Sequence, residues 1–359
     1  MSFGARCACD AGLEGDVKGL YRFGIEEEYF LADAGTRDTP SGDALERFHA
    51  AAQGRHSRVE REMLASQVEG STPPFTDFAA ARDVLSDLRS GLAATAQEHG
   101  LLVFAAGTHP VARWLRQNPT SAKRYEDLAR ELGQPARRNV VGGLHVHVEV
   151  PRPEQRVDHM NRLLPYLPLL LSLSASSPLW QGVPTGLAAY RLSVFGEMPR
   201  SGLPEFFSGI EEYERFLDIM ISSKAIPDAS YLWWYVRPAL RYPTLELRVT
   251  DSCTYLEDAL AIAALWRCLV RLVDRRPDIN SGLTGVSRAI VAENLWRAQR
   301  DGVRAHLIDE ATGQTAPVRQ RLAEVIADVE EDAHALGCRK EMEGALLIAE
   351  RGTSADQQM

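Results

Sequence analysis

Stretches in which apolar and charged residues alternate are separated along this chain by longer segments with helical spacing. The clearest alternation covers 140–150. There Leu144, Val146, Val148 and Val150 share one strand face, and His145, His147 and Glu149 share the other. Pro151 closes it. The segment 244–250 repeats the pattern, with Glu246, Arg248 and Thr250 facing one way. A third strand, 20–32, carries Gly24-Ile25-Glu26-Glu27-Glu28 inside an apolar run, so Glu26 and Glu28 share a face and Glu27 points the other way. Further extended segments are expected at 58–71, 101–106 and 232–236, the last forming a hairpin with 244–250 around 238–243. Helical spacing predicts helices over 75–99, 120–132, 153–177, 205–223, 256–275, 286–300 and 318–336. The stretches 33–43 and 182–204 are rich in turn residues.

Strands buried on both faces read as continuous apolar runs. Alternation points instead to an antiparallel sheet with helices on one face and a wet, charged floor on the other, an α+β arrangement. With 359 residues, 45% of them hydrophobic, the chain can bury a large core. No repeat or long linker divides it, so 19–350 is expected to be a single domain, with a flexible leader at 1–18 and a frayed tail at 351–359. A net charge of −9 argues against a general nucleic-acid binder. No apolar run approaches the roughly 20 residues of a membrane helix; the longest, 163–173, is broken by Pro165 and Pro168. Five sparse cysteines fit reduced thiols in a cytoplasmic protein, and Cys7 and Cys9 form only a lone C-x-C near the N-terminus.

Clustered carboxylates in a sheet are costly unless something positive neutralises them. A hard divalent cation, magnesium or manganese, is the usual solution, and solvated acids on an edge strand are the alternative. The H-x-H of 145–147 presents imidazoles to metal or substrate, unless both simply face solvent. Glu246 and Arg248 either pair with each other or divide the work, Glu246 on metal and Arg248 on a phosphoryl or carboxylate group. Glu62 and Glu69 are seven apart, so only a bulge or break would bring both to one site. Arg191 and Arg237 are further candidates for anion recognition. The chain has no P-loop, no G-x-G-x-x-G fingerprint and no G-x-S-x-G elbow, so a bound nucleotide would be held by metals and arginines on a sheet.

Taken in order, several segments resemble the glutamate–cysteine ligase type 2 family of ATP-dependent carboxylate–amine ligases. They are Gly24-Ile25-Glu26-Glu27-Glu28, Gln67-Val68-Glu69 with Thr72-Pro73, Gly107-Thr108-His109-Pro110 and Gly143-Leu144-His145-Val146-His147-Val148. Ser174-Ala175-Ser176-Ser177-Pro178, Arg237-Pro238 and Glu246-Leu247-Arg248-Val249-Thr250-Asp251 complete the set. The resemblance implies a glutamine-synthetase-like catalytic fold, a curved antiparallel sheet funnel with helices packed on its outer face. It implies ATP with Mg²⁺ (or Mn²⁺) at the floor, and small-molecule substrates, glutamate and an amine such as cysteine. Carried over by position, Glu26, Glu28, Glu69, His145 and Glu246 resemble metal-binding residues, which Glu62 joins, and Arg248 resembles the arginine that steadies the transferring phosphate. His147, Glu149, Arg191 and Arg237 are expected to bind substrate or nucleotide. Glu149 and Tyr235 depart from the family's pattern, where many relatives have glycine and aspartate. The expected activity is glutamate–cysteine ligation through an acyl phosphate. The alternatives are a ligase or kinase of the same fold acting on another small acid or amine, or a catalytically weak small-molecule binding protein that keeps the sheet but not turnover. No nucleic acid or membrane partner is expected, and a homodimer is compatible with the sequence.

Overall fold

The structure, a computed structural model, describes residues 20–40 and 42–359. The expected leader, with Cys7 and Cys9, lies outside them. Seven strands form the main sheet: β1 (Phe23–Asp33), β2 (Val59–Arg61), β3 (Gln67–Ser71), β4 (Leu101–Phe104), β5 (Leu144–Glu149), β6 (Val236–Pro238) and β7 (Thr244–Leu247). Their spatial order is β6-β7-β5-β1-β3-β2, with β4 pairing the far end of β1. Every one of these pairings is antiparallel.

One face of this sheet is apolar. Ile25, Tyr29, Leu31, Val68, Leu144, Val146, Val148, Leu245 and Leu247 are buried on it and belong to one cluster with residues of the helices Phe78–Glu98 and Leu256–Arg275. The second helix lies between the sheet and the helices Leu167–Ser174 and Arg339–Arg351. That is why it is buried almost all round, from Asp258 to Val270 without a break. The α+β architecture expected from the alternation is therefore present, and the predicted helix 256–275 has the same limits.

The differences have local causes. The extended segment 58–71 is a hairpin, broken after Arg61 by a turn in which the Gln67 N–H bonds the Leu64 carbonyl at 2.9 Å. In 232–236, Trp233–Trp234 pairs in parallel with Ser201–Gly202, and only Val236–Pro238 joins β7. Pro238 is tolerated because β6 is the sheet edge, where a missing N–H leaves no ladder bond unmade. The helix expected over 153–177 divides into Arg156–Leu163 and Leu167–Ser174 on either side of Pro165. The tail expected to fray is instead ordered. Ser354–Gln358 is helical, Thr353 and Asp356 cap it reciprocally, and the Ala355 N–H bonds the Ala175 carbonyl at 3.0 Å. The turn-rich segment 182–204 packs Ala189, Leu192, Val194 and Phe195 inward as a wall. Among the described residues, no helix is long and apolar enough to cross a membrane.

Candidate active site

Antiparallel register sets the polar face in rows. Glu26 stands opposite His145, Glu246 opposite His147 and Arg237, and Glu28 opposite Glu69. Directly paired residues point to the same side, so these side chains meet. Three groups result: Glu26, His147 and Glu246; Glu26, Glu69 and His145; and Glu28, Glu62 and Glu69. In each, the ligand atoms lie within 4.8 Å of one another. Glu26 and Glu69 each serve two groups, so the three form one line across β7, β5, β1 and β3. Glu62 reaches the line because the hairpin breaks just before it. The Met63 N–H holds its carboxylate at 2.9 Å, and the Thr120 hydroxyl holds its carbonyl.

The two ends of the line differ in charge. At one end Arg237 grips Glu246 through Nε at 2.7 Å and Nη2 at 3.2 Å, and Arg248 forms a second ion pair with the same carboxylate. Burial works to raise the Glu246 carboxyl, but the two guanidiniums outweigh it and hold it well below the usual range. Burial likewise acts on Glu26, where His145 at 3.7 Å and His147 at 3.4 Å prevail and keep it ionised. The other ring nitrogen of His147 lies 3.0 Å from the Thr244 hydroxyl, which fixes the ring. At the far end burial pushes Glu28 up to about 7, with Glu62 adding to the effect. Burial also raises Glu62 and, with Glu26, Glu62 and Glu28 all nearby, raises Glu69 well above the ordinary value. Burial pushes His145 down to about 4, so its imidazole is neutral and able to ligate.

Hard carboxylates with two imidazoles suit magnesium or manganese. The structure offers a second sign of fit. The buried His145 Nε2, Arg248 Nε and Arg191 Nε have no hydrogen-bond partner. An imidazole nitrogen left over among carboxylates fits a cation, and two leftover guanidinium N–H groups fit an anion beside it.

Arg191 enters from the wall. It is fully buried, and its Nη1 bonds the carbonyls of Arg248 and Val249 at 3.2 and 3.3 Å. A Cβ on Gly143 would come within 2.4 Å of its Nη2, so a larger residue there would push the guanidinium aside. The Gly143 N–H bonds Glu28 at 2.6 Å, which puts Arg191 beside the carboxylate end. Sequence reasoning assigned no role to the residues that hold Arg191. The Ser177 hydroxyl accepts the Arg191 backbone N–H at 3.0 Å and donates to the buried Asp251 at 2.6 Å. The Ser176 N–H bonds the same carboxylate at 3.0 Å, and a Cβ on Gly107 would strike it. Asp251, Ser176 and Gly107 belong to three separate segments, so no spacing rule could have joined them.

Glu149 is the residue the structure does not bring in. It lies at the rim opposite Thr244 and forms a two-point pair with Arg22 at 2.9 and 3.0 Å. It belongs to none of the three groups.

A sheet of this topology is the glutamine-synthetase-like fold, and solved structures share it. A glutamate–cysteine ligase from Francisella tularensis, solved in complex with AMP, superposes with a TM-score of 0.67 at 13% identity, over 94% of this chain and 84% of that one. A bifunctional glutathione synthetase from Pasteurella multocida gives a TM-score of 0.67 at 15% identity, over 95% of this chain and 49% of that one. The present chain thus spans about half of the Pasteurella protein. Residues 22–359 match the model of glutamate-cysteine ligase family 2. A Bradyrhizobium diazoefficiens protein named "Putative glutamate–cysteine ligase 2" is 43% identical over 339 residues, covering 94% of this chain and 79% of its own. The chain belongs to glutamate–cysteine ligase family 2.

Proposed function

We propose that this protein is an ATP-dependent ligase that joins the γ-carboxylate of glutamate to the amine of cysteine through an acyl phosphate. The observation that carries the reading is the line of three carboxylate groups, two of them with an imidazole, ending on the Arg237 and Arg248 guanidiniums. Glu26, Glu28, Glu62, Glu69, His145, His147 and Glu246 would hold divalent cations, which when bound neutralise phosphate oxygens and draw charge from the terminal phosphate. Arg248 has an unused buried N–H for the transferring phosphoryl oxygens. Glu246 holds the Arg237 and Arg248 forks side by side, so they need not reorganise during transfer. Arg191, beside Glu28, supplies a fixed cation for a carboxylate or phosphate. A carboxylate oxygen of glutamate attacks the terminal phosphorus and ADP leaves. The amine then attacks the carbonyl carbon, phosphate leaves with that oxygen, and the nitrogen gives its extra proton to the departing phosphate. The packed wall over 188–198 screens the acyl phosphate from water.

Supplied with ATP, Mg²⁺, glutamate and cysteine, the protein should release ADP and phosphate. Oxygen-18 placed in the γ-carboxylate should appear in that phosphate. AMP as product, or unlabelled phosphate, would overturn the mechanism. Release of ADP with a different acid or amine from a panel of amino acids, and none with this pair, would keep the chemistry and replace the substrates.

A further inference from the structure

The middle carboxylate of the opening motif faces away from the floor, yet it too is held by charged and polar partners. Glu27 is completely buried on the helix side of β1. Arg89, on the helix Phe78–Glu98, grips it through Nε at 3.0 Å and Nη2 at 2.5 Å, and the Tyr29 hydroxyl donates to the same oxygen as Nε. The rest of the Arg89 fork is also used. Nη2 bonds the Cys253 carbonyl at 2.9 Å, and Nη1 bonds the Thr254 carbonyl at 2.9 Å. One side chain therefore joins the strand that carries Glu26 and Glu28 to the loop 251–254.

That loop is tied to the floor twice more. The Ser252 hydroxyl bonds the Glu28 carbonyl at 2.7 Å, and Asp251 anchors the Ser177 hydroxyl that receives Arg191. Buried ion pairs seldom add net stability over well-packed apolar residues, because desolvation offsets the attraction. Stability alone therefore gives this pair little reason to be here. Its geometry supplies another. A strand shifted by one residue would turn Glu26 and Glu28 into the core and Glu27 onto the floor. A carboxylate clamped from behind cannot make that exchange.

We propose that Glu27 and Arg89 are positioning residues for the cation-binding floor, setting Glu26 and Glu28 against each other and against Arg191. The inference rests on the reading of the three groups as cation sites. It goes beyond that reading in giving the motif's middle glutamate a role without contact to metal or substrate.

The test uses the full-length protein free of metal, with Mn²⁺ binding followed by electron paramagnetic resonance and the fold by circular dichroism and thermal melting. A triple variant, Glu27→Leu with Tyr29→Phe and Arg89→Met, removes the charges and leaves no hydroxyl without a partner. It should melt near the wild-type temperature yet bind Mn²⁺ about tenfold or more weakly, the effect usual for groups that orient metal ligands. Should the triple variant not fold, Arg89→Lys keeps the charge but cannot reach Glu27 and both carbonyls, and it should show the same loss. Wild-type Mn²⁺ affinity in whichever of these variants folds would overturn the proposal. Wild-type protein that binds no Mn²⁺ would instead overturn the cation-site reading beneath it.

Discussion

The two ends of the polar floor solve the same electrostatic problem in opposite ways. At the β6–β7 end, Glu246 and Glu26 are matched by Arg237, Arg248 and His147, so their charges persist in the protein alone. At the β3–β2 end, Arg191 and Arg248 act on Glu28 and Arg248 on Glu62 from a distance, the neutral His145 lies 3.7 Å from Glu28, and burial drives all three carboxylates toward protonation. The first end is organised in advance for an anion. The second is left short of positive charge and must take up protons or cations. An enzyme that holds a polyphosphate at one end and cations along the line needs both conditions.

The largest effect should come from the matched end. Arg248→Ala should lower turnover by about 10²-fold or more, since a preorganised charge acts mainly on the transition state. Arg237 still neutralises Glu246 in that variant, so circular dichroism should show a retained fold. Near-normal turnover would reduce Arg248 to a structural partner of Glu246.

Glu69→Gln addresses the unmatched end, where Glu69 serves two groups. Mn²⁺ affinity should fall by about 10–100-fold. The metal-free protein should melt a few degrees higher at pH 8, because one of three crowded carboxylates no longer needs to ionise. A lower melting temperature would show that the end is not short of positive charge.

Proton competition should be visible at the same end. Glu28, pushed up to about 7 from an ordinary 4.5, holds a proton that a cation must displace. Displacement of the Glu28 proton alone should therefore raise Mn²⁺ affinity about 25-fold between pH 5.5 and 7.5. In folding, the raised Glu28 contributes stability that is full below about pH 4.5 and lost as pH climbs through about 7. His145, pushed down to about 4, acts in the opposite sense, its contribution being lost as pH falls from about 6.5 through 4. The two partly cancel in the metal-free melting curve, so binding is the cleaner measurement. A flat affinity across this range would place Glu28 outside the cation site.

The smallest effect belongs to the rim. Glu149→Ala breaks a part-exposed pair with Arg22, and such pairs contribute about 0–1 kcal/mol. Turnover should change by less than about threefold. A larger loss would bring Glu149 back into substrate binding, where the sequence alone had placed it.

How much of this was legible depends on the range of the interactions involved. Side-chain direction in a strand follows from period two, so the faces of Glu26, Glu27 and Glu28, and of His145, His147 and Glu149, could be read from single segments. So could the helix Leu256–Arg275, long and strongly periodic. Glu62 was the intermediate case, its place hanging on a break that the sequence permitted but did not locate. The helices Asp43–Arg55 and Arg339–Arg351 were missed because their periodic signal competes with many charged residues.

The sequence by itself determined which side chains share a strand face, because that is decided by covalent geometry within a few residues. Only the tertiary structure decided which strands lie side by side. It also decided that Glu149 goes to Arg22, that Asp251 and Ser177 hold Arg191, and that Glu27 belongs to Arg89. Each of these pairs lies 14 to 127 positions apart in the chain, and folding alone brings them within hydrogen-bond reach.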